Sequence, residues 1–185
     1  EKYTYDKHDS TTVNNNWFFD IYLDKFNQLW FASWDGLARY NYKTNNFQRV
    51  LYDHTTIILA MRKRNDSTLF LATNKGVLVF NVLNKEVLKN YSSVNMLPDD
   101  YCTQIEVDQD NNLWITTHGG ITILNESKNQ SINLNAYDGV VNASFRQNKS
   151  YQLSNGYIVF NSFSGQYIID PDNFTPNPTQ LKTHI

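Results

Sequence analysis

The chain has 185 residues, 41% hydrophobic and 15% aromatic, with a formal charge of −2 and a pI of about 6.1. That is enough apolar material for one sizeable core, and the charge offers no basic footprint for a phosphate backbone, so nucleic acid is excluded as an expected partner. No apolar run approaches the roughly 20 residues of a membrane-crossing helix, and the single cysteine, Cys102, leaves nothing to pair with inside the chain.

In chain order, the first segment, Glu1-Lys-Tyr-Thr-Tyr5-Asp6, has the look of an outer strand. A polar turn, Asp24 to Gln28, then leads into the apolar run Leu29-Trp30-Phe31-Ala32-Ser33. A tight turn at Trp34-Asp35-Gly36 follows, then a strand at Leu37 to Asn41 and an outer strand at Phe47 to Tyr52 with Asp53 behind it. The same sequence of parts recurs. A turn at Arg64 to Thr68 precedes Leu69-Phe70-Leu71-Ala72-Thr73-Asn74-Lys75-Gly76, and an outer strand at Val87 to Tyr91 ends that copy. Asp108 to Asn112 precedes Leu113-Trp114-Ile115-Thr116-Thr117-His118-Gly119-Gly120, with an outer strand at Ile132 to Tyr137 and Asp138 after it. Ser154-Asn155-Gly156 precedes Ile158-Val159-Phe160-Asn161-Ser162-Phe163-Ser164-Gly165, followed by Gln166 to Asp170. Arg62-Lys63-Arg64, the one dense basic run, reads as a solvated turn and is assigned no function.

β-Branched and aromatic runs without alternation are strands buried on both faces, and Asp, Asn and Gly supply the positive φ of hairpin turns. The closing glycines, Gly36, Gly76, Gly120 and Gly165, are 40, 44 and 45 residues apart, and a strand-built repeat of about 40 to 50 residues is a propeller blade. The fold expected is therefore all-β, a β-propeller of four-stranded antiparallel blades. Repeat cores lie near 17–53, 56–91, 101–138 and 145–170, so residues 1–170 form blades and 171–185, with three prolines in eight residues, form an extended exit linker. Because the chain starts on an outer strand and ends without one, the four blades are expected to be part of a larger, seven-bladed type of propeller. A four-blade ring closed by residues 1–6 is the alternative.

Chemical motifs are sparse. Asp108-Gln-Asp110-Asn-Asn112 imitates a calcium loop but has Leu113 where the glycine belongs and Gly119 where the bidentate glutamate belongs. His8, His54, His118 and His184 lack metal-ligand spacing, and no serine sits in a G-x-S-x-G elbow. No metal, cofactor or catalytic residue is assigned. Asp35, Asp53, Asp99, Asp100 and Asp138 could converge as an acid pair, yet Asp53 and Asp138 recur at equivalent positions, which points to a turn requirement.

In a propeller the turn between second and third strands shares one face with the loop to the next blade. That face carries Trp34, Asp35, Asn74, Lys75, His118, Arg146 and Phe163. Aromatic plates that stack on sugar rings, beside amides, acids and cations that satisfy hydroxyls, suit an oligosaccharide ligand.

The run from Ile105 to Leu124 resembles the repeat of two-component regulator propellers, in which an aspartate and a turn precede Leu-Trp-Ile-Gly-Thr, two residues and Gly-Leu. Ala136 to Phe145, Asn155 to Phe160 and Gly165 to Pro171 resemble the last blade of that family's sensor region. Departures are Ala32, Ala72, Thr116 and Asn161 in place of the motif glycine, Phe70 in place of tryptophan, and no aspartate before the second turn. The resemblance implies the periplasmic sensor of a Bacteroides-type hybrid two-component system, anchored in the inner membrane and working as a homodimer. It would bind glycan-derived oligosaccharide and signal to a histidine kinase elsewhere in the parent, with no membrane span and no enzyme activity in this chain. The family's ligand contacts lie outside the repeat motif, so the candidate site rests on the loops alone. The rivals are a propeller glycoside hydrolase or polysaccharide lyase, and a scaffold whose ligand binds elsewhere.

Overall fold

The computed structural model describes residues 1–140, 144–175 and 182–183. Asn142, much of the proline-rich tail and His184 lie outside the described residues. Four antiparallel sheets follow one another as the blades of a β-propeller. The first holds β1 (Phe18–Leu23), β2 (Leu29–Ser33), β3 (Gly36–Asn41) and β4 (Asn46–Leu51); the second holds β5 (Ile58–Lys63), β6 (Thr68–Thr73), β7 (Gly76–Asn81) and β8 (Glu86–Tyr91). The third holds β9 (Gln104–Val107), β10 (Leu113–Thr117), β11 (Gly120–Asn125) and β12 (Gln130–Leu134), and the fourth holds β13 (Phe145–Gln152), β14 (Ile158–Ser162) and β15 (Gln166–Ile169). A short β16 (Lys182–Thr183) adds to the free edge of β12, and Phe174 packs on Trp114 with ring centroids 5.7 Å apart.

Alternating strand residues face opposite neighbours, and the blades stack through three apolar layers. Trp30, Ala32 and Leu37 meet Met61, Leu71 and Phe80 of the second blade. Phe70, Val77 and Val79 meet Ile105, Ile115 and Leu124 of the third. Trp114, Ile121 and Leu134 meet Phe145, Ile158 and Phe160 of the fourth. The other face of the first blade, with Ala38 and Phe47, is covered by Val13 and Tyr5.

The repeated Asp-turn-Leu-Trp pattern has a bonding reason. The Asp24 carboxylate accepts from the amides of Phe26 and Gln28 and from the Trp30 indole at 2.9 Å. Asp108 does the same with Asp110, Asn112 and Trp114, the last at 2.8 Å. In the second blade, which has neither partner, Arg64 lies over the Phe70 ring instead, 5.8 Å from its centroid. The turns place Asn27 and Asn111 at φ 60° and 62°, the left-handed region that asparagine tolerates.

Three expectations are corrected. Residues 1–6 form no strand and do not complete the fourth blade: Tyr3 and Tyr5 pack on Phe47 and Tyr52 of the first blade, and Arg49 donates to the carbonyls of Asp6 and Asp9. The third outer strand stops at Leu134, because Asn135 and Asp138 cap one another in a single 3₁₀ turn, Ala136–Asp138, that leaves Tyr137 exposed. Arg62 is not in a solvated turn. It sits on innermost strand β5, where β1, β5, β9 and β13 gather round one axis. Its guanidinium donates to both Glu106 oxygens, at 2.9 and 2.7 Å, to Asp20 at 3.3 Å and to the Ser150 carbonyl at 3.2 Å.

Candidate functional site

The loop face divides into three separate groups of side chains. On the first blade, Trp34 stands edge-on to Trp17, with centroids 5.7 Å apart, and its amide donates to the Trp17 carbonyl. Both indoles reach solvent, while Asp35 accepts a bond from Asn15 at 2.9 Å. On the second blade Asn74 and Lys75 are engaged by their own loop. The Asn74 side chain bonds the amide of Ile57 and the carbonyl of Thr55; Lys75 Nζ bonds Asp53 and the hydroxyls of Thr55 and Thr56. These two are turn locks.

The third group forms a cleft. His118, Arg146 and Phe163 line an open depression of about 540 Å³ between the third and fourth blades, together with Tyr101, Thr103, Ser144, Phe145 and Gln147. One wall is an aromatic stack, with the His118 imidazole parallel to the Tyr101 ring at 5.1 Å and 12°. Asp99, whose carboxylate accepts from the Tyr101 amide, lies 3.7 Å behind His118 Nδ1. The other wall is Phe163, with the Arg146 guanidinium 4.6 Å above its ring. The Phe163 amide donates to the Ser144 carbonyl, and the Ser162 hydroxyl closes the hairpin on the Gly165 carbonyl.

This wall is fixed from beneath by Gln104, which is fully buried on β9. Its Nε2 donates to the carbonyls of Arg146 and Asn161, at 2.5 and 2.7 Å, and its Oε1 accepts from the Asn161 amide. One side chain thus ties β13 and β14 to the third blade at the root of the cleft. Among the described lining residues there is no carboxylate.

Of the carboxylates weighed as an acid pair, Asp53, Asp100 and Asp138 are engaged by their own loops. Asp53 accepts from the Thr55 and Thr56 amides, the Thr56 hydroxyl and Lys75, and Asp138 caps its 3₁₀ turn. Asp100 accepts from the Ser93 amide. Asp108, the head of the calcium-like run, is consumed by its turn and the Trp114 indole, and among the described residues no three His, Cys, Asp or Glu side chains gather as a metal site. Cys102 is buried, and burial together with Asp99 and Asp100 pushes its thiol well above the usual range, so it is a packing residue.

The sequence reading did not single out Tyr101, Gln104 or Arg62 as functional or organising residues. Gln104 and Tyr101 carry no motif. Arg62 had a signal, since it stands eight residues before Phe70 as Glu106 stands eight before Trp114. The register confirms that these are equivalent positions, Arg62 opposite Phe70 and Glu106 opposite Trp114.

Residues 96–119 match the family model of the two-component regulator propeller. A search of curated proteins found no match. Among solved structures, the extracellular domain of the hybrid two-component system BT4673 from B. thetaiotaomicron superposes with a TM-score of 0.75 at 22% identity, covering 90% of this chain and 25% of that one. The extracellular domain of BT3049 from the same organism gives 0.68 at 20%, covering 88% and 24%. PorZ, a surface component of the type-IX secretion system of Porphyromonas gingivalis, gives 0.60 at 16%, covering 86% and 22%. This chain spans about a quarter of the length of each. No helix among the described residues is long and apolar enough to cross a membrane. The chain is thus a β-propeller whose residues 96–119 match the two-component regulator propeller model and whose fold is shared with extracellular domains of hybrid two-component systems.

Proposed function

We propose that this chain is a ligand-sensing segment of a periplasmic sensor, binding glycan-derived oligosaccharide without breaking a bond. Occupancy would be signalled to a histidine kinase elsewhere in a homodimeric, inner-membrane-anchored parent. The observation that carries the reading is the cleft at His118, Arg146 and Phe163. It offers two aromatic walls about a polar floor, the arrangement that takes a sugar ring by its apolar faces and its hydroxyls by donors and acceptors. Its described lining lacks the pair of carboxylates that a glycoside hydrolase sets about 5 to 9.5 Å apart. The repeat match and the likeness to extracellular domains of hybrid two-component systems support the sensor context.

The test is a thermal-shift screen of the chain against neutral and acidic oligosaccharides, with the sugar from each tube then analysed for cleavage. A ligand bound only by the folded state raises the melting temperature by mass action, about 2.7 kcal/mol at a hundredfold excess over Kd. The expected result is a shift with intact sugar that His118→Ala and Phe163→Ala abolish and Trp34→Ala leaves in place. Cleaved sugar would make the chain an enzyme. Silence across the panel would make it a scaffold.

A further inference from the structure

We infer that the sugar taken by this cleft is anionic, its carboxylate or sulfate held by Arg146; the inference rests on the cleft being a sugar site. Each of the other four arginines has at least one acceptor for its guanidinium, although Arg39 leaves its Nε unmet. Arg39 donates to Gln48, Arg49 to main-chain carbonyls, Arg62 to Asp20 and Glu106, and Arg64 to Glu126. The Arg146 guanidinium has no acceptor among the described residues; its neighbour is the Phe163 ring, 4.6 Å away. A guanidinium lying over an aromatic face keeps its planar fork of donors for a bidentate oxyanion, and carboxylate and sulfate both present that geometry.

The group is also held in place and electrically unopposed. Gln104, itself buried, grips the Arg146 carbonyl, so the residue projects from a fixed strand. The described lining contains no carboxylate that would compete for the guanidinium or repel an anion. Asp99 stands behind the imidazole of His118, outside the lining. In a chain of net charge −2 with His neutral, Arg146 is the one formal charge among the described lining residues.

The experiment is calorimetric titration of the intact chain with uronate-bearing oligosaccharides (galacturonan, alginate, glucuronoxylan), sulfated ones (chondroitin sulfate, heparin) and neutral ones (xylan, mannan, levan, arabinan). Each acidic binder is repeated after methyl esterification or desulfation, which separates carboxylate from sulfate. The expected result is binding by an acidic member that weakens at least tenfold in Arg146→Gln, weakens with added NaCl, and is only partly kept by Arg146→Lys, which retains charge without the fork. Unchanged melting temperatures of the free variants would show that folding is intact. Binding confined to neutral sugars, or an acidic binder whose affinity stays within twofold in Arg146→Gln, overturns the anionic inference and leaves the sugar reading standing. Binding by no member of any panel overturns both.

Discussion

Asp108 and Trp114 show how a single hydrogen bond disciplines a blade. The carboxylate accepts from two turn amides, the Asn112 side chain and one buried indole, so the turn that starts β10 and the ring that packs toward the next blade are set by one group. Trp114→Phe would remove one of the two donors to Asp108 Oδ2 and leave it the Asn112 side-chain amide, so the lost bond should cost about 1 kcal/mol. Asp108→Asn combined with Trp114→Phe should cost less than the sum of the two, because the residues act through one bond. Urea unfolding of the four proteins in the cycle measures this, and strict additivity would refute it. Asp53 offers a test by pH. Burial alone would raise its pKa, but the Thr56 hydroxyl, the Thr55 and Thr56 amides and Lys75 outweigh it and hold the carboxyl well below the usual range. Its folded pKa is thus lower than its unfolded one, so the stability it contributes is present above about pH 4 and is lost as pH falls toward the folded value. The melting temperature of Asp53→Asn should lie below that of the wild type at pH 7 and approach it as the solution is acidified through that window. Parallel curves would show that Asp53 is not the linked group.

At the scale of the element, the hairpin between second and third strands explains the repeat glycines and sets one blade apart. Gly36 adopts φ +93°, and a Cβ there would stand 1.7 Å from the Leu51 carbonyl oxygen at the end of β4. The outer strand therefore closes onto the hairpin, and only a residue without a side chain admits it. Gly165 has the same role in the sequence but no atom within 4 Å of its would-be Cβ, because β15 has no outer strand beside it among the described residues. Gly36→Ala should consequently forfeit several kcal/mol through backbone collision and positive φ, whereas Gly165→Ala should lose about 1 to 2 kcal/mol from φ alone. Melting temperatures of the two variants decide it, and equal losses would mean that the outer strand does not determine the need for glycine.

Across the whole molecule, Arg62 is the point where the four inner strands meet, joining β5 to Glu106 of β9, Asp20 of β1 and Ser150 of β13. Burial opposes its charge, and Glu106 and Asp20 outweigh that opposition. Arg62→Met would strand the Glu106 carboxylate at the axis, while Asp20 keeps the Ile21 and Met61 amides, and breaking such a pair costs about 3 kcal/mol, toward the low end of the usual range because the guanidinium keeps some solvent. Arg62→Met with Glu106→Leu should recover most of that loss, since an apolar pair needs no partner charge. Chemical denaturation of the single and double variants reads the difference, and a double variant as unstable as the single would refute the pairing.

Blade number, strand order and turn positions were legible in the sequence because each depends on local chemistry repeated four times: an apolar run, an Asp or Asn turn, a glycine. The outer-strand look of residues 1–6 misled, since Tyr3 and Tyr5 are as well suited to covering Phe47 as to pairing with β15, and the packed first blade took them without forming a strand. The candidate site was half legible. Loop geometry brought His118, Arg146 and Phe163 to one face, yet which residues share a cleft depends on how adjacent blades abut, and that separated Trp34 and Asp35 from the cleft and bound Asn74 and Lys75 into their own loop. Tyr101 and Gln104 acquire their roles only through neighbours distant in sequence, the first against His118 and the second beneath Arg146 and Asn161. Periodicity is a property of the chain and fixes the blade; convergence is a property of the packed assembly, and it decided the cleft and the Arg62 axis.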